Sequence, residues 1–138
     1  MSKVGRAAYA ASRQRVETLV GNKTIQSAET GEIYLFDVPD GTDITITLPT
    51  PQEGAYFKFV CTGASNKSVL IDAGAGRTIT GATYLLAVST ATVTRAAHSN
   101  RVLGFGDNHV IGDCVEIVCD GTNWHIVSAW SGVAFVIS

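Results

Sequence analysis

Asp120-Gly121 stands between two runs dense in Val, Ile and Trp, and no other stretch of the chain restricts the fold as tightly. Residues 112–128 read Gly-Asp-Cys-Val-Glu-Ile-Val-Cys-Asp-Gly-Thr-Asn-Trp-His-Ile-Val-Ser. Tight hairpin turns need backbone angles that Gly and Asp adopt at little cost, so this spelling predicts two antiparallel strands. It points to an all-β protein and away from a nucleotide-binding α/β fold or a helical bundle. The expected architecture is an antiparallel β-sandwich or a jelly-roll-like barrel.

The rest of the chain repeats the pattern of short strands and turns. Strands are expected over 16–20, 23–26, 33–38, 42–48, 55–61 and 68–72, then over 77–80, 84–88, 92–94, 102–105 and 134–137. Within 42–48, Ile44, Ile46 and Leu48 alternate with Asp43, Thr45 and Thr47, the signature of a half-buried strand. Pro39-Asp40-Gly41 and Pro49-Thr50-Pro51 punctuate. Gly81 reads as a break between two strands, and 95–100 reads as a loop. The apolar run at the C-terminus must pair with something, either its own sheet or a neighbouring subunit.

Charge divides the chain into an arm over 1–16 and a single domain over 17–138. The arm holds Lys3, Arg6, Arg13 and Arg15 and no acid, giving +4, while the remainder sums to −6. A basic arm on an acidic body suggests a partner with an acidic surface. Nucleic acid is disfavoured as that partner, because the body would repel phosphate. Only 16% of residues are charged against 46% hydrophobic. So sparse a charge suggests that part of the surface is covered by other chains. No apolar run is long enough for a membrane span, and no secretory signal is read at the N-terminus. Cys61, Cys114 and Cys119 are expected as reduced thiols.

Little in the chain spells chemistry. His98 and His109 fall in expected loops and His125 in the hairpin, with no nucleophile motif beside any of them. Cys114, Cys119 and His125 are spaced loosely for zinc, and strand parity sends the two sulfurs to opposite faces. Gly104-Phe105-Gly106 and Gly74-Ala75-Gly76-Arg77 lack the residues that complete a phosphate loop. The expectation is therefore no catalytic residue, no metal site and no cofactor. Trp124 and Trp130, with Tyr34, Tyr56 and Tyr84, read first as core and alternatively as a ligand-contacting face.

Ile46-Thr47-Leu48-Pro49, Gly54-Ala55-Tyr56-Phe57-Lys58-Phe59, Val69-Leu70-Ile71-Asp72, Thr78-Ile79-Thr80-Gly81 and Val115-Glu116-Ile117 with Asp120-Gly121-Thr122-Asn123-Trp124 resemble stretches of tailed-bacteriophage structural proteins. The resemblance implies a small trimeric β-sandwich, most like a capsid decoration (cement) protein. Such a homotrimer would be made in the host cytoplasm. It would bind the outer surface of the head and bridge subunits of the major capsid protein. On this reading Lys3, Arg6, Tyr9, Arg13 and Arg15 contact the shell. The alternative is a tail-fibre, spike or receptor-binding module that attaches to host surface glycans, with Tyr84 and Trp130 as ligand contacts. The lack of heptads for a fibrous shaft favours the cement reading.

Overall fold

In the computed structural model, which describes residues 14–38, 41–87 and 89–138, the Asp120-Gly121 turn forms as its sequence dictates. One carboxylate oxygen of Asp120 accepts the N–H groups of Thr122 and Asn123, each at 2.8 Å. Gly121 takes φ 100°, a region that costs a side-chain-bearing residue more. The flanking strands, Cys114–Cys119 and Trp124–Ser131, pair antiparallel, and Val127 is the extra residue of a bulge in the second of them.

The described residues contain twelve strands and a single 3-10 turn, Ser27–Glu29. In chain order the first six are β1 (Val16–Leu19), β2 (Lys23–Thr24), β3 (Ile33–Phe36), β4 (Ile44–Thr47), β5 (Tyr56–Cys61) and β6 (Val69–Asp72). They are followed by β7 (Ile79–Ala87), β8 (Thr92–Asn100), β9 (Val102–Phe105), β10 (Cys114–Cys119), β11 (Trp124–Ser131) and β12 (Phe135–Ile137). A seven-stranded sheet has the order β1-β3-β5-β10-β11-β7-β8, and a five-stranded sheet the order β12-β9-β6-β4-β2.

Both sheets are mixed, which corrects the antiparallel expectation. Pairs β1–β3, β3–β5, β2–β4, β4–β6 and β7–β11 are parallel. The reason lies in the connections. From β1 to β6 every turn carries the chain from one sheet to the other, so neighbours within a sheet are two strands apart and run the same way. Turn residues announce that the chain changes direction, but not whether it stays in its sheet.

The two sheets share one core. Tyr34, Phe36, Phe57, Phe59 and Trp124 from the larger sheet and Ile46, Ile71 and Phe105 from the smaller are fully buried. Phe36 meets Phe105 across the two sheets with ring centroids 4.7 Å apart, and Phe57 meets Trp124 at 5.7 Å. Burying a side chain of this size stabilises the fold by about 1.5–3 kcal/mol. The inward positions follow the alternation in the sequence: β5 and β10 each alternate half-buried and buried residues along their length.

Gly81 does not break a strand, and β7 runs through it. A Cβ at Gly81 would lie 2.7 Å from Ile126 Cβ, and its φ is 147°, so the glycine permits close approach of β11. Residues 95–100 are strand, not loop, and belong to β8. The C-terminal run closes its own sheet, with Phe135 opposite Phe105 on β9.

Candidate functional site

The face of the seven-stranded sheet turned away from the core is apolar over much of its width. One row across it, fixed by the strand registers, runs Arg95, Tyr84, Trp130, Cys114, Val60. Trp130 is 37% exposed and stacks on Tyr84, centroids 4.7 Å apart and planes 18° from parallel. Leu86, Val93 and Val127 on or beside this face are exposed, and Tyr56, Val60 and Val118 are half-buried. Charge on it is sparse. Lys58 and Glu116 neutralise each other at 3.0 Å, and His125 is held by Asp120 at 2.7 Å. A contiguous apolar face of this kind marks a contact surface more often than a solvated one.

Local electrostatics keep the face quiet. The hydrogen bond from Lys58 holds the Glu116 carboxyl below its ordinary value, and the same bond raises Lys58. Burial pushes the Cys114 thiol up and, on the core side of β5, pushes Cys61 up to about 11. A thiol held protonated is a poor nucleophile. Hydrogen bonds from the backbone of Asn123, then from His125 and Thr122, depress the Asp120 carboxyl.

This face runs out onto the β7–β8 hairpin. Residues 92–97 are all exposed, on both faces of the strand. Leu86, Ala87, Ala91, Thr92 and Val93 outline a shallow apolar depression of about 360 Å³ near the tip. Ala91 closes the turn with φ 51°, a left-handed angle without a glycine. Strand β8 is nine residues long and lies at the sheet edge. It carries one charged side chain, Arg95, and no proline. Edge strands are ordinarily blunted by several charges or by proline.

Of the arm residues, Lys3, Arg6, Tyr9 and Arg13 lie outside the described residues. Arg15 is described, and its guanidinium donates to the carbonyls of Ala28 (3.2 Å) and Thr30 (3.3 Å). Gln14 donates to the Gly31 carbonyl, and the Arg15 carbonyl accepts the Ile33 N–H at 3.0 Å. Residues 14–16 are thus fastened to the body. Tyr84 and Trp130, the pair named for ligand contact, are brought together by the β7–β11 register.

The titratable groups are scattered. His98 is on β8, not in a loop, and its Nε2 lies 2.7 Å from the Thr83 hydroxyl. Its residue stretch is polar and small, which hid the strand. His109 is a loop residue as expected but wholly buried, edge-on to Phe36, with Nδ1 3.1 Å from the Gly106 carbonyl. Cys119 points into the core and Cys114 to the outer face, as strand parity requires. Trp124 is core and Trp130 surface. Sequence reasoning missed one cluster: Glu17, Glu29 and Glu32 gather their carboxylates within 4.8 Å of one another. They are the described residues best placed to hold a cation. The Lys23 ammonium already bridges Glu17 at 3.1 Å and Glu29 at 2.8 Å, so a cation of the chain itself already sits against two of the three carboxylates. No helix among the described residues is long and apolar enough to cross a membrane.

No protein-family model matches the chain, and neither a curated protein nor a solved structure is significantly similar to it.

Proposed function

We propose that this chain is a non-catalytic assembly protein, a β-sandwich that decorates the outer surface of a phage head as a cement protein. The observation that carries the reading is the apolar outer face of the larger sheet, continued onto a hairpin whose outer half is uncovered. Such surface belongs against other chains. Three copies would pack through their apolar faces. Each trimer would then present several basic arms to carboxylates of the major capsid protein. Exposed ion pairs are worth only about 0–1 kcal/mol each. Linking several on one particle raises avidity by roughly 10²–10⁴-fold.

The structure sharpens the test of the arm. Because residues 14–16 are attached to the body, the truncation to make removes 1–13 alone. It should leave the circular dichroism spectrum and the oligomer mass unchanged and abolish cosedimentation with capsid shells. Undiminished cosedimentation overturns the role of the arm.

The stacked, part-exposed Tyr84–Trp130 pair supports a second reading, a module that binds host glycans through aromatic faces. Binding of purified protein to a glycan array, lost on Trp130→Ala while capsid binding persists, would favour it.

A further inference from the structure

We infer that the β8 edge pairs with the β8 edge of a second copy, antiparallel about a twofold axis at Ala96, joining two seven-stranded sheets into one. The inference does not depend on what shell, if any, the protein decorates.

The backbone sets which groups are free. The Thr78 carbonyl accepts the Trp124 N–H at 2.9 Å, so residues of even number along β7 turn their backbone groups toward β11. Those of odd number face β8, where they stand opposite even-numbered residues: Thr83 opposite Ala96, Leu85 opposite Thr94. In an antiparallel ladder the intervening residues point the other way. Val93, Arg95, Ala97 and Ser99 therefore direct their N–H and C=O groups out of the sheet. Ser99 N–H makes a makeshift bond at 3.3 Å to the neighbouring Asn100 side chain, as a group without a strand partner does.

Charge then selects the register. Arg95 is the one charged residue on β8, and it has no ion pair among the described residues. A twofold at residue 95 would set two guanidinium groups directly opposite each other, which is destabilising. A twofold at 94 or 97 leaves fewer outward-facing residues in register. With the axis at Ala96, Arg95 faces Ala97 of the second copy and Val93 faces Ser99. All four outward residues of each strand are then matched, forming about eight backbone hydrogen bonds. The outer faces of both sheets end on the same side, so the apolar stripe through Tyr84 and Trp130 continues across the join.

The geometry at the axis gives a direct test. Ala96 would face its own copy in a non-hydrogen-bonded pair, with Cα atoms about 4.5 Å apart. That lies inside the range a disulfide spans, roughly 4.4–6.8 Å. Mild oxidation of the full-length Ala96→Cys protein should yield a covalent dimer on non-reducing gels, whereas Ala97→Cys, whose opposite is Arg95, should not. Charge at position 97 should then act with opposite signs. Ala97→Glu should tighten self-association and Ala97→Lys weaken it, each by roughly 2- to 30-fold in analytical ultracentrifugation, since two symmetric pairs change at once. No dimer from Ala96→Cys, equal dimer from both cysteine variants, or the same response to both charges overturns the inference. Circular dichroism of each variant confirms that it is folded. Loss of capsid binding by the 1–13 truncation would bear on the arm and leave this result untouched.

Discussion

The middle and one edge of the same sheet are built to different standards. At β5 and β10 every second side chain is buried, and Phe57, Phe59, Val115 and Ile117 have no exposed surface. At β8, two strands beyond β11, six consecutive residues are exposed. The second sheet covers the first region and not the outer half of the β7–β8 hairpin. The contrast separates what holds a single chain together from what is left for contact with other chains.

That separation can be broken by substitution, starting at its strong end. Phe57→Ala removes a fully buried ring packed against Tyr34 and Trp124. It should lower unfolding free energy by about 3–5 kcal/mol, measured by urea denaturation. A loss below about 1 kcal/mol would mean that the two sheets are not packed through this residue.

The outer face of the well-packed region, between β5 and β10, carries a smaller, pH-dependent contribution. Lys58 holds the folded Glu116 carboxyl below its ordinary value. The stabilisation is therefore present above that ordinary value and is lost as pH falls through the depressed one. Glu116→Gln should reduce the drop in stability between about pH 7 and about pH 3, by less than about 1 kcal/mol because the pair is partly solvated. An unchanged acid profile would show the ion pair to be idle.

At the weak end, Leu86→Ser on the hairpin should change the unfolding free energy of the dilute protein, measured by urea denaturation, by no more than about 0.5 kcal/mol. It should nevertheless reduce self-association, read by sedimentation. A large loss of stability would show that Leu86 belongs to the folded core.

Much of this contrast could be read from the chain, and unevenly. Alternation located the inward side chains of β4, and Asp120-Gly121 marked the β10–β11 turn. Both signals reflect a strand with one buried and one solvated face. Residues 95–100 carry no such signal, because neither face of β8 is buried over most of its length, and a strand without a buried face has no pattern to show. Gly81 misled for a related reason: a glycine that ends a strand and one that admits a neighbouring backbone are spelled alike. The Tyr84–Trp130 contact depends on a parallel pairing between distant strands and on a bulge in β11, neither of which local spacing encodes. The Glu17, Glu29 and Glu32 cluster likewise comes from the crossing between sheets.

That crossing also bears on the order in which the molecule comes together. None of β1 to β6 pairs with the strand next to it in the chain. Among the described residues, local hairpins, the quickest β structures to form, occur at β7–β8 and β10–β11 only. Strands β5 and β6 gain their antiparallel partners only when β10 and β9 arrive, so strands made later are the template on which the earlier ones are completed.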